Sequence, residues 1–160
     1  MSDRFSIPTD DITYFGHSLG GLFGTYALLT APTTFDCYIL SSPSLWWDDE
    51  AIFDIERAAF QQNGLRSKVY FGIGSLETDA GRRIEGSNLP LGHPAKPPAV
   101  YLDMVADMHR FVRQLSLRND TTLEIAAAEI PDEFHATVPG VVLSRALRHF
   151  AAPAPQVNTG

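Results

Sequence analysis

The sequence predicts an α/β protein with a mostly parallel sheet and helices on both faces. Three observations carry this. Strand-like and helix-like segments alternate four times along the chain, and alternation of this kind builds parallel strands joined by covering helices. The first strand-to-helix junction reads Gly16-His17-Ser18-Leu19-Gly20, a G-x-S-x-G pattern on the kind of turn where that pattern does chemistry. The bulk composition is that of one ordinary globular domain: 160 residues, 44% hydrophobic and 19% charged.

The elements follow in order. Residues 11–15 form a short strand ending at Gly16. Residues 19–30 form a helix closed by Pro32. Its glycines are poor helix formers and point to close packing against a neighbour. Residues 36–41 are apolar enough for a buried strand. Residues 49–63 form a helix with Ile52, Ile55 and Ala59 on one face. Residues 68–73 give a third strand, running into Gly74-Ser75. Residues 78–99 are rich in Gly, Pro and charge and read as a long loop or excursion. Helical spacing returns over 100–117, with Leu102, Val105, Met108, Val112 and Leu115. A strand over 122–129, a turn-rich loop over 130–137 and a helix over 138–150 complete the domain, which spans 1–150. The tail 151–160 reads as disordered.

The chemistry resides in the G-x-S-x-G segment. A serine between strand and helix on so sharp a turn sits in strained backbone geometry. The expectation is that both flanking glycines are small because any side chain there would clash. The turn lifts the Ser18 hydroxyl above the sheet edge, and the Leu19 N–H points where an oxyanion would develop. The helix that follows adds the positive end of its dipole.

A serine nucleophile needs a base. Of five histidines, His17 lies inside the elbow, points elsewhere and reads as a packing or substrate-contact residue. His93 falls in the Pro-rich loop and His109 on a helix, both with local roles. His149 sits near the end of the last helix, where a histidine helps cap it. His135, between the last strand and the last helix, stands where the order serine, acid, histidine places the base. The acid belongs after the third strand. Glu77 is the first choice and Asp79 the alternative. Ser41-Ser42-Pro43-Ser44-Leu45-Trp46-Trp47-Asp48 follows the second strand at the carboxyl end of the sheet, where open α/β sheets bind ligands. Ser42, Trp46 and Trp47 are therefore candidate substrate contacts, the tryptophans as an apolar wall.

Composition excludes other classes. The net charge of −7, from 12 basic and 19 acidic residues, is wrong for a nucleic-acid surface. No apolar run approaches the roughly 20 residues of a membrane span. Cys37 is the single cysteine, so the fold does not rest on an internal disulfide, and its apolar surroundings read as buried packing. No spacing of His, Cys and Asp supports a metal site, and no cofactor is expected. No signal-peptide pattern is visible at Met1, which makes the cytoplasm the expected location.

Four segments together, 16–23 (Gly-His-Ser-Leu-Gly-Gly-Leu-Phe), 41–48 (Ser-Ser-Pro-Ser-Leu-Trp-Trp-Asp), 74–77 (Gly-Ser-Leu-Glu) and 134–138 (Phe-His-Ala-Thr-Val), resemble the esterase D / enterochelin esterase-like family of bacterial α/β-hydrolases. The resemblance runs from about residue 11 to residue 150. It implies hydrolysis of carboxylic esters, siderophore esters among them in some relatives, with Ser18 and His135 as the core pair. The acid is less uniform in that family. Phe134-His135 departs mildly from the Gly-His of several relatives. Complete members carry more strands before the elbow. The resemblance thus implies an α/β-hydrolase fold lacking its N-terminal strands and the loop with the second oxyanion donor. Loss of that donor would lower the rate about 100- to 1000-fold. The open sheet edge would invite pairing with another chain, hence a homo-oligomer.

The leading expectation is a serine esterase acting on a small-molecule ester through Ser18, His135 and Glu77 and an acyl-enzyme. A version that passes the acyl group to an alcohol is an acyltransferase. The alternative is a truncated, weak or inactive hydrolase fragment that serves as a partner module.

Overall fold

The computed structural model describes residues 12–59, 64–81 and 103–151. Four strands, β1 (Thr13–His17), β2 (Cys37–Ser41), β3 (Ser67–Gly74) and β4 (Leu123–Ile130), form one sheet in the order β1-β2-β3-β4. Every neighbouring pair is parallel. Interleaved with them are the helices α1 (Leu19–Thr30), α2 (Trp47–Ala59), α3 (Met104–Ser116) and α4 (Val138–Ala151). The sheet is a single-direction march, so the right-handed connections between successive strands fall on one face.

The burial pattern confirms this. Tyr38, Leu40, Val69, Phe71 and Ile73 form one core with Leu28 of α1, Phe53 of α2 and Met108 and Phe111 of α3. The alternate residues Ile39 and Tyr70 pack with Val138, Val142 and Ala146 of α4 in a second core. Successive strand side chains point to opposite faces, so three helices cover one face and α4 covers the other. The fold expected from the sequence, an α/β-hydrolase sheet with helices on both faces, is the one observed.

Some details differ from expectation. β1 runs on to His17, two residues past the expected stop, and delivers the chain directly into Ser18. Regular helix in α2 begins only after Glu50. Asp48, Asp49 and Glu50 have φ of 52°, 48° and 64°, a left-handed stretch that turns the chain between Trp47 and Ala51. Its acidic side chains tolerate this conformation better than branched ones. Cys37 is half-buried at the start of β2, less enclosed than its apolar neighbours suggested. The expected excursion over 78–99 falls outside the described residues beyond Gly81, as do His93, the far end of the expected helix 49–63 and the tail after Ala151.

The glycines of α1 set how closely it seats. A Cβ added at Gly24 would stand 2.5 Å from Tyr14 Cε1 and 2.6 Å from Leu40 Cδ2. One added at Gly21 would stand 2.9 Å from Pro43 Cα. The helix therefore lies against β1, β2 and the loop after β2 with no room for a methyl group. Tyr14 Oη donates to Gly20 O at 2.7 Å, tying strand to helix across the elbow. Burial raises the Tyr14 hydroxyl above its ordinary pKa, so it stays a donor at neutral pH. Overpacking at such a site costs about 1–3 kcal/mol. Gly24→Ala is accordingly expected to lower the urea midpoint of unfolding by that amount of stability, and an unchanged midpoint would show that α1 has slack.

Candidate functional site

The site lies at the carboxyl ends of the parallel strands. Ser18 follows β1 with φ 58° and ψ −120°, a conformation that costs a non-glycine residue strain. The surrounding hydrogen bonds hold it there. Ser18 N–H donates to Ser41 O at 3.0 Å, and Ser18 O accepts from the N–H of Leu22 at 3.0 Å and of Ser44 at 3.1 Å. A serine before a helix ordinarily turns its hydroxyl back to cap the first turn. Here the side chain makes no cap bond and is turned elsewhere.

The expectation about the flanking glycines holds at one position only. A Cβ at Gly16 would stand 2.4 Å from Gly20 O. At Gly20, outside its own helix, a Cβ would meet nothing nearer than Tyr14 Oη at 3.8 Å. The second steric demand in this segment falls on Gly21, against Pro43.

Ser18 Oγ lies 3.0 Å from His135 Nε2, and His135 Nδ1 lies 2.6 Å from Glu77 Oε2. A carboxylate only accepts, so Nδ1 carries the ring proton and Nε2 is left bare to accept from the serine. Of Glu77 and Asp79, left open by the sequence, the carboxylate bonded to His135 is that of Glu77. It is 1% exposed, and its other oxygen accepts from Ser42 Oγ at 2.5 Å and from Gly74 N–H at 2.8 Å. Three donors from three segments thus converge on one buried carboxylate.

The loops that carry Glu77 and His135 are joined to each other. Ser75 N–H donates to Ile130 O, Leu76 N–H to Glu133 O, and Asp132 N–H to Ser75 Oγ. Gly74 is what permits this approach: a Cβ there would stand 2.2 Å from Glu133 O. Residues 74–77 and 130–135 therefore close as one unit and fix the distance between acid and imidazole.

The remaining expected contacts divide. Leu19 opens α1, and its N–H belongs to the first turn, where helical N–H groups have no acceptor within the helix. It stands beside Ser18, available to a negative oxygen. Trp47 is 51% exposed and, with Leu19, Leu22, Phe23, Tyr26 and Ile55, lines an apolar groove of about 300 Å³ between α1 and α2. Trp46 is half-buried, packs against the large core and has its ring centroid 5.9 Å from that of Trp47. Ser42 is fully buried with its hydroxyl spent on Glu77; it stands behind the acid and presents nothing to a substrate. His17 does not point away: its ring centroid is 4.5 Å from that of His135, and its Nδ1 is 3.1 Å from Ser41 Oγ. His109 bonds Glu129 on the surface. His149 lies against Tyr70 and Phe150, packing more than capping.

Ser41 and Ser44 were not singled out by the sequence, although both lie in the segment that was. Ser44 Oγ is 3.3 Å from Ser18 Oγ. The available signal was local: three serines in four residues directly after a buried strand, at the end of the sheet where ligands bind. Among the described residues no cluster of His, Cys, Asp and Glu could hold a metal ion, and no helix is long and apolar enough to cross a membrane.

The fold and this arrangement define an α/β-hydrolase. The chain belongs to the Esterase family, described as "Putative esterase", whose model matches residues 2–119. It is 55% identical over 56 residues, 35% of this chain and 18% of the relative, to the siderophore enterobactin esterase of Emericella nidulans. It is 28% identical over 152 residues, 92% of this chain and 46% of the relative, to the ferri-bacillibactin esterase BesA of Bacillus subtilis. Among solved structures it is similar to the siderophore hydrolase EstB from Aspergillus nidulans, with TM-score 0.72 and 26% identity over 95% of this chain and 55% of that one. The BES protein from Bacillus cereus gives TM-score 0.71 and 26% identity over 95% of this chain and 50% of that one. The chain spans about half the length of these relatives or less.

Burial, and then the neighbouring His135 ring, lower the pKa of His17 from its ordinary 6.5, while Glu77 opposes. A histidine whose folded pKa lies below its unfolded value stabilises the fold above pH 6.5 and loses that contribution as pH falls. His17→Gln should therefore flatten the fall in urea midpoint between pH 7.5 and pH 5. A fall as steep as in the parent would show that His17 is as readily protonated in the fold as in the unfolded chain.

Proposed function

We propose that this chain carries the active site of a serine esterase. The observation that supports it is the unbroken series Ser18 Oγ, His135 Nε2, His135 Nδ1, Glu77 Oε2, at 3.0 Å and 2.6 Å. Ser18 Oγ attacks the ester carbonyl carbon while its proton passes to His135 Nε2. The Leu19 N–H stabilises the oxyanion. Glu77 keeps the imidazole in the productive tautomer and stabilises the imidazolium. The tetrahedral intermediate collapses, the C–O bond to the alcohol breaks, and His135 returns the proton to the departing oxygen. Water, deprotonated by the same Nε2, then attacks the acyl carbon, and the carboxylic acid departs as Ser18 Oγ takes the proton back from Nε2. Ser-to-ester transfer onto an alcohol instead of water would follow the same steps.

The substrate we propose is a small carboxylic ester. The names of the relatives, a siderophore enterobactin esterase, a ferri-bacillibactin esterase and a siderophore hydrolase, favour an ester of the siderophore class. A second reading, a partner module, is favoured by one observation: β1 is an edge strand of the described sheet, and Phe15 on it is 39% exposed.

The two separate experimentally. A fluorophosphonate should label the chain at Ser18, located by mass spectrometry, and Ser18→Ala and His135→Ala should abolish the adduct. Absence of an adduct in the parent chain would favour the partner module. With p-nitrophenyl acetate, Glu77→Gln should lower kcat about 10³- to 10⁴-fold through the wrong imidazole tautomer, whereas Asp79→Asn should leave kcat near that of the parent, because the carboxylate bonded to His135 is that of Glu77.

A further inference from the structure

Ser18 Oγ has a second neighbour besides the imidazole. The hydroxyl of Ser44, 2% exposed, lies 3.3 Å away. The proton on Ser18 is committed to the bare Nε2 of His135, so between the two hydroxyls Ser44 must donate and Ser18 accept.

Ser44 is itself held on both sides. Its N–H donates to Ser18 O at 3.1 Å, so main chain and side chain of Ser44 grip the same residue. Before it, Pro43 seats on Gly21, where a Cβ would stand 2.9 Å from Pro43 Cα and 3.1 Å from Ser41 O. Before that, Ser42, with φ 43°, donates its N–H to Gly72 O at 2.7 Å and its hydroxyl to Glu77 at 2.5 Å. The turn after β2 thus touches the acid at one end and the nucleophile at the other.

We propose that Ser44 is a positioning residue for Ser18. Its hydroxyl holds the nucleophile's oxygen in the rotamer that faces His135, away from the cap position a serine there would otherwise take. The same donor meets Oγ when it leaves the acyl group as a developing alkoxide, so it acts in both halves of the reaction. Gly21 is part of the device, because only a glycine lets Pro43 bring Ser44 that close. This inference rests on Ser18 being the nucleophile.

The test is the second-order rate of fluorophosphonate labelling from pH 5 to pH 9, read by intact mass, in the parent chain, Ser44→Ala and Ser44→Thr. Thermal melting of each is recorded alongside. Labelling of the parent at Ser18 comes first; its absence would sink the nucleophile assignment itself, separately from Ser44. Given labelling, Ser44→Ala should react about 3- to 10-fold more slowly, the range expected for one neutral hydrogen bond. The pH midpoint should stay in place, because His135 and Glu77 are untouched, and Ser44→Thr should recover most of the rate. Ser44→Ala reacting at the parental rate would overturn the proposal. So would a slow Ser44→Ala that melts well below the parent while Ser44→Thr is equally slow, since that pattern belongs to a merely structural residue.

Discussion

The site depends on one buried carboxylate. Glu77 accepts from Ser42 after β2, from the main chain of Gly74 at the end of β3 and from His135 after β4. A buried donor without an acceptor costs roughly 1–3 kcal/mol, so the three loops are bound to the carboxylate and, through it, to each other. The parallel sheet makes the meeting feasible, because β2, β3 and β4 all end on the same side.

The proposed nucleophile is held by a different set of forces. Ser18 stands in a strained conformation at the end of β1, and that strain persists because its neighbours over-determine it. Its N–H is bound to Ser41, its carbonyl to Leu22 and Ser44. Gly16 and Gly21 remove the side chains that would push the elbow open. Tyr14 then closes the strand onto the helix from beneath. The fold's stability and the site's geometry therefore share residues: the methyl-free face of α1 that packs the core also aims the hydroxyl.

Electrostatically the site is arranged around one ionisable chain of contacts with a second imidazole beside it. His17 lies against His135 and is held below its ordinary pKa chiefly by burial. A neutral ring there provides a flat wall and adds no positive charge next to the proposed base. Elsewhere, Glu56 and Arg118 form a buried pair at 2.6 Å that joins α2 to the end of α3. It ties together two of the three helices packed on that face of the sheet.

Much of this was legible in the residues themselves. The order of elements, the elbow at Ser18 and the placement of His135 between β4 and α4 follow from local rules: apolar periodicity, turn sterics and the direction of a parallel strand. What the sequence could not rank were contacts made through space. Ser18 meets His135 across 117 residues and Ser44 across 26, and Glu77 meets Ser42 across 35. The sequence put Glu77 ahead of Asp79 without excluding the latter; the closeness of the 74–77 and 130–135 loops is what brings Glu77 to His135. No local pattern says that Trp46 is the more enclosed of the two tryptophans and Trp47 the one that lines the groove between α1 and α2. The sequence by itself determined the strand–helix order and the serine on its turn, because backbone geometry is written in neighbouring residues. Only the tertiary structure decided which carboxylate and which serines stand beside Ser18 and His135, because those are distances between segments that the sheet brings together.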